Sequence, residues 1–237
     1  MTTRSHFWMP LLVLPLLLFP SVEASVLIDD FSLASSVINS AGAPNPVSTT
    51  QTISILGGSA TRTFSLGAFS GLSQGQIING DLGFVSDPAA GAQASLVYEN
   101  FTANLSSTPF LRLDFTSINF TGSMEVALLS TSSPNPLAKA VNPLPTGGPT
   151  SLFLDVRGFN GYQDGFLNGI TDVLLDFAGN DGPFFGVRIS KISFTQESEF
   201  LAAIPEPGAT ACIAGALLAA FALAHRGRTR TPVASRD

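Results

Sequence analysis

Between residues 25 and 203, apolar or β-branched residues alternate with polar ones in nine short runs: 25–31, 49–56, 61–66, 94–98, 110–115, 124–129, 151–156, 172–177 and 185–195. A period of two is that of a strand with one buried face, and no window sustains the 3.6-residue period of an amphipathic helix. Clusters such as Ala43-Pro44-Asn45-Pro46, Ser133-Pro134-Asn135-Pro136 and Asn142-Pro143-Leu144-Pro145 separate the runs and read as turns. The pattern predicts an all-β body, an antiparallel β-sandwich of about nine strands. No repeat of fixed period emerges, which disfavours a propeller or a solenoid.

Two stretches break the alternation, one at each end. Residues 7–19 are almost uninterruptedly apolar, follow Arg4, and precede Ser21-Val22-Glu23-Ala24. A basic start, a short apolar run and small residues before the cut describe a secretory signal peptide, residues 1–24, cleaved after Ala24. Thirteen residues at 1.5 Å rise span only about 20 Å, short of a hydrocarbon core of ~30 Å. Near the other end, Pro205-Glu206-Pro207 precedes an Ala/Leu-rich apolar segment, residues 208–224, and then a basic tail, 225–237, containing Arg226, Arg228 and Arg230. Arginines directly after an apolar segment are what a stop-transfer sequence needs, so 208–224 is expected to be a transmembrane helix.

This ordered trio resembles the PEP-CTERM sorting domain that bacterial exosortases recognise. The resemblance covers residues 204–230 and implies transit through the inner membrane, processing by signal peptidase and an exosortase-type enzyme, and delivery to the cell surface or an exopolysaccharide matrix. Two positions depart from the pattern: Cys212 interrupts the apolar segment, and seven residues follow Arg230.

Composition sharpens the reading of the body. Residues 25–203 contain no His, Cys or Trp, and carry six basic against fourteen acidic residues, a net of −8. Nucleic acid is not the expected partner of such a surface. Without His or Cys there is no imidazole base, thiolate nucleophile, disulfide, or His/Cys metal ligation. The expectation is a non-enzymatic domain without a cofactor, stabilised by apolar burial in which sixteen Phe are the main contributors.

A second resemblance lies within the body. Leu152-Phe153-Leu154-Asp155-Val156, Ile170-Thr171-Asp172-Val173-Leu174-Leu175-Asp176-Phe177 and Gly186-Val187-Arg188-Ile189-Ser190-Lys191-Ile192-Ser193-Phe194 are similar to the closing strands of jelly-roll carbohydrate-binding-like modules, and Val26-Leu27-Ile28-Asp29-Asp30-Phe31 looks like their first strand. The likeness implies a jelly-roll-like sandwich.

Candidate chemistry is sparse. Asp30 and Asp181, in turn-like Asp/Asn/Gly contexts, are candidate oxygen ligands for a structural Ca²⁺, set against ordinary Asx turns. The loop Gly158-Phe159-Asn160-Gly161-Tyr162-Gln163-Asp164-Gly165-Phe166 offers Tyr162, Phe159 and Asn160, with Tyr98 elsewhere, as a sugar-contact surface; the competing arrangement folds those aromatics back onto the sandwich. Asp114, Glu99, Glu125 and Asp155 are the carboxylates from which a glycosidase pair would be drawn, but no spacing marks two of them as converging. The sequence therefore points to an exported surface or matrix protein with a structural or adhesive role. The alternatives are a carbohydrate-binding module and, third, a carboxylate-dependent glycan hydrolase.

Overall fold

The computed structural model describes residues 25–41, 46–56, 58–68, 72–86, 92–119, 122–179 and 185–203. Within them the chain forms β1 (Val26–Asp29), β2 (Ile38–Ala41), β3 (Val47–Ile55), β4 (Gly58–Ala68), β5 (Leu72–Ile78), β6 (Asp81–Ser86), β7 (Ala92–Glu99), β8 (Phe110–Asn119), β9 (Gly122–Ser130), β10 (Ser133–Val141), β11 (Thr150–Asp155), β12 (Ile170–Gly179), β13 (Phe185–Thr195) and one short helix, α1 (Glu197–Ala203). One sheet runs β11-β8-β13-β6-β5-β2, with β1 paired beside β6 on β13; the other runs β10-β9-β12-β7-β4-β3. Every pairing is antiparallel. The body is an antiparallel β-sandwich, the class that the two-residue period predicts.

All nine predicted runs lie in strands; four further strands have no counterpart among them. The β5–β6 hairpin closes through Asn79 (φ 54°) and Gly80 (φ 80°) between the paired Ile78 and Asp81, the two-residue turn with both φ positive that suits strand twist. β10 begins inside Ser133-Pro134-Asn135-Pro136, a segment expected to be a turn. Proline is tolerated there because β10 is the edge of its sheet and its outward positions need no ladder donor.

Alternation builds the core. Met124, Val126 and Leu128 of β9 and Val173, Leu175 and Phe177 of β12 point inward from one sheet, against Leu111, Leu113 and Phe115 of β8 and Leu82 and Phe84 of β6 from the other. Phe84 bridges the sheets, with ring centroids 6.2 Å from Phe64 and 5.2 Å from Phe177. Gly75 opposes Phe84 in register, and a Cβ there would sit 2.5 Å from the Phe64 ring, so the glycine makes room for that ring.

At one end of the seven-stranded sheet, α1 lies on the outer face. Its Phe200 stacks on Phe110 at 4.8 Å and leans on Phe153 at 5.8 Å, while Glu199 meets Arg112 at 3.7 Å and accepts a short hydrogen bond from the Thr195 hydroxyl. No helix among the described residues is long and apolar enough to cross a membrane. The signal-peptide segment 1–24 and all of 204–237, including Pro205, Glu206, Pro207 and the arginine cluster, lie outside the described residues.

Candidate functional site

Two rows of side chains, each running straight across a sheet, concentrate the polar chemistry of the body. The first is internal. In the six-stranded sheet Gln51, Arg62 and Tyr98 are direct cross-strand neighbours on β3, β4 and β7. From the opposite sheet β1 delivers Asp29 to them. Its Oδ2 accepts hydrogen bonds from Arg62 Nη1 at 2.6 Å and from the Tyr98 hydroxyl at 2.9 Å, and its Oδ1 accepts the Phe31 backbone N–H at 2.8 Å. Arg62 Nη2 donates onward to the Leu33 carbonyl at 2.7 Å and to Gln51 Oε1 at 2.5 Å.

Arg62 and Asp29 side chains are 1% and 5% exposed, so the pair is removed from water and each charge depends on the other. Burial, then the neighbouring Asp29 carboxylate, push the Tyr98 phenol well above its usual 10.0, so it is a neutral hydrogen-bond donor. Phe31 adopts φ 54°, rare for a bulky residue; the Asp29 carboxylate on its N–H and the Arg62 guanidinium 5.8 Å from its ring hold it there. This network joins the two sheets and offers no surface to a ligand.

Its presence corrects two sequence expectations. Tyr98 is fully buried and spent on Asp29, so it is not a sugar platform. Phe159 likewise belongs to the core cluster, together with Phe166 of the same loop, because the loop folds its aromatics back onto the sandwich. Tyr162 is half-buried against that cluster, and of the proposed contact loop only Asn160 is an exposed polar candidate. Its backbone bridges to Ala138 of β10.

The metal and carboxylate candidates separate in space. Asp30 is exposed, and its Oδ1 accepts the Ser32 N–H at 3.0 Å, an Asx turn whose hydrogen bonds to Ser32 hold its carboxyl below the usual value. Among the described residues no group of three His, Cys, Asp or Glu side chains converges to hold a cation, and Asp181 lies outside them. The four carboxylates considered for glycan hydrolysis are divided between the sheets. Asp114 and Asp155 are on β8 and β11, Glu99 and Glu125 on β7 and β9. Asp114 accepts from Arg112 at 2.9 Å and Ser151 at 2.5 Å; Asp155 accepts from Arg157 at 2.8 Å. The bond from Arg157 lowers the Asp155 carboxyl, the opposite of the shift a general acid needs.

The second row is external and was missed by the sequence reading. On the outer face of the seven-stranded sheet Gln76, Gly83, Arg188 and Ser117 are successive partners across β5, β6, β13 and β8. Beside them runs a second line: Asn39, Gln74, Val85, Gly186 and Asn119. Because strands lie about 4.8 Å apart, each line sets its polar groups at multiples of that spacing, interrupted by Gly83 in one and by Val85 and Gly186 in the other. Glycine at 83 and 186 lowers the middle, where only Val85 and Arg188 stand beside them, and a trough of about 290 Å³ opens there, near the lower limit of small-molecule sites at ~300 Å³.

Arg188 passes beside Gly83, its Cγ and Nε both 3.7 Å from where a Gly83 Cβ would be. It makes no ion pair with any described residue. Asp81, also in the lining, accepts the Thr116 hydroxyl at 3.1 Å, and Gln74 Nε2 donates to Asn39 Oδ1 at 3.0 Å, which fixes the amide plane. Three primary amides, a guanidinium and a carboxylate around this floor can donate and accept toward neighbouring hydroxyls. One sequence signal points here, Gln74-Gly75-Gln76 ahead of Asn79-Gly80: two amides on one strand face leading into a hairpin turn.

No protein-family model matches the chain, and no curated protein does. Among solved structures it is similar to the family 11 carbohydrate-binding module of a cellulosomal cellulase of Clostridium thermocellum, at 12% identity and TM-score 0.39, over 74% of this chain and 96% of that one. It is also similar to the family 30 carbohydrate-binding module of another cellulosomal cellulase of Clostridium thermocellum, at 14% identity and TM-score 0.33, over 63% and 83%. An agarase matches at 11% identity and TM-score 0.41, over 58% of this chain but only 24% of its own.

Proposed function

We propose that the body is a non-catalytic glycan-binding domain that holds a stretch of polysaccharide in the trough over Gly83 and Gly186, on the outer face of the seven-stranded sheet. The observation that carries this reading is the pairing of a floor lowered at Gly83 and Gly186 with Gln74, Gln76, Asn119 and Arg188 in cross-strand register around it. Sugar hydroxyls are both donors and acceptors, and amide and guanidinium groups answer them without a change of protonation. A trough lined by amides and a guanidinium favours binding over a purely structural role.

The destination belongs to the same proposal. Residues 1–24 act as a signal peptide; Pro205-Glu206-Pro207, residues 208–224 and Arg226, Arg228 and Arg230 act as a sorting signal read by an exosortase-type enzyme after transient membrane anchoring. The glycan then belongs to the surface or extracellular matrix in which the protein resides.

Affinity electrophoresis through gels containing a panel of soluble neutral and acidic polysaccharides tests the binding. Retardation by at least one polymer, abolished by Arg188→Ala with Gln76→Ala, is the expected result; free migration through every gel overturns the reading. Mass spectrometry of the protein isolated from cells tests the processing, since a mature form that begins at Met1 or retains residues beyond Pro207 contradicts it.

A further inference from the structure

A sheet edge is an unpaired row of backbone donors and acceptors, and proteins blunt such rows with short strands, prolines or charges. Four of the five edges here are blunted. β1 and β2 have four residues each; β10 carries Pro134, Pro136 and Lys139; β11 has six residues, follows Pro149, ends in Asp155, and has Phe153 packed against Phe200 of α1.

β3 follows Pro46 but has none of these devices along its length. Its nine residues, Val-Ser-Thr-Thr-Gln-Thr-Ile-Ser-Ile, contain no charge and no proline, and it pairs along its whole length with β4 on one side only. No described residue hydrogen-bonds to its backbone on the other side. Ser48, Thr50, Thr52 and Ser54 are all exposed.

The chemistry of β3 is also symmetric about its central residue. Turned end for end around Gln51, Val47 meets Ile55, Ser48 meets Ser54, Thr49 meets Ile53, and Thr50 meets Thr52. A two-fold axis through Gln51 would therefore place like beside like at nearly every pair, with apolar positions continuing the core side and hydroxyls continuing the outer side. The outer face already uses that ladder between β3 and β4, where Ser48 bonds Ser65 at 2.8 Å and Thr50 bonds Thr63 at 3.2 Å.

We infer that the free edge of β3 is a homotypic interface, on which a second copy of this chain lays its own β3 antiparallel and joins the two six-stranded sheets into one. Such a contact is isologous and closes after two copies. It leaves the glycan trough, on the other sheet, open on both, so a dimer presents two troughs to one polymer.

Sedimentation of the full-length chain in detergent over a range of concentrations tests this, with Thr50→Lys/Thr52→Lys and Thr50→Glu/Thr52→Glu as variants. The wild type is expected to form a dimer. Each double variant, placing like charges directly opposite one another, is expected to weaken it about tenfold or more, and an equimolar mixture of the two to restore association. A wild type that stays monomeric overturns the inference, as does association that survives both variants, since any other surface would be indifferent to residues 50 and 52. Should the variants fail to fold, hydrogen exchange in the wild type decides: amides of 47–55 slow with concentration if β3 pairs, and do not if it is free. Neither outcome bears on the glycan trough.

Discussion

Arg62 and Arg188 stand in comparable surroundings and serve opposite ends. Both sit mid-strand, in a cross-strand row that includes a glutamine one or two strands away: Gln51 beside Arg62, Gln76 across Gly83 from Arg188. The inner row is saturated. Every guanidinium bond on Arg62 closes on Asp29, Leu33 or Gln51, and Asp29 in turn serves Tyr98 and the Phe31 backbone. The outer row leaves Arg188 without an ion pair among the described residues and puts Gly83 where Arg62 has Gln51 as neighbour, and Ser117 where it has Tyr98. The same guanidinium is structural where the protein supplies its partners, and is left available to a proposed ligand where none is supplied.

Mutation should split the two rows cleanly. The largest effect expected is from Arg62→Ala, which leaves Asp29 buried and uncompensated and should cost about 3–5 kcal/mol of stability in denaturant unfolding. A loss below about 1 kcal/mol would mean that water reaches the site and that the network is not what joins the sheets.

Tyr98→Phe comes next, deleting one hydrogen bond to a charged acceptor for about 1.5–3 kcal/mol. It carries a pH signature with a defined sign. The folded phenol titrates above 10.0, so its stabilisation is complete below that value and is lost as pH rises from it toward the folded pKa. The variant should lack that part of the alkaline decline; an identical alkaline profile would break the assignment.

Arg188→Ala should do the reverse of Arg62→Ala: stability within about 0.5 kcal/mol of wild type, and polysaccharide affinity weaker by roughly tenfold, near 1.4 kcal/mol. Gly83→Leu sharpens it by filling the floor instead of removing a donor, and should abolish retardation in affinity gels while the melting temperature holds. Equal losses of stability at positions 62 and 188 would collapse the distinction.

The smallest effect concerns Asp155, whose carboxyl the Arg157 hydrogen bond holds below 3.8. A lowered folded pKa stabilises fully above 3.8 and is lost as pH falls through the folded value. The group is largely solvated, so Asp155→Asn should flatten the acid limb of the stability profile only slightly.

Much of the inner row was legible from alternation alone. In Thr61-Arg62-Thr63-Phe64-Ser65-Leu66, parity puts Arg62 on the side of Phe64 and Leu66; in Ala94-Ser95-Leu96-Val97-Tyr98, it puts Tyr98 inside with Ala94 and Leu96. Residue type alone makes Tyr98 a ligand-surface candidate, and parity, which buries it, overrules that. The outer row was not legible. Its members are drawn from β5, β6, β13 and β8, and the first two were absent from the predicted strands although Asn79-Gly80 marks their turn.

What the sequence determined by itself is the strand content, the inward parity of the apolar residues, and a body with no His or Cys chemistry. These are local or compositional properties, set by a period of two and by which residue types occur. What only the tertiary structure decided is which strands lie side by side: that Asp29 of one sheet reaches Arg62 of the other, and that Gly83 falls between Gln76 and Arg188. Those meetings depend on sheet order and register, which join residues up to 168 positions apart through packing that no local pattern encodes.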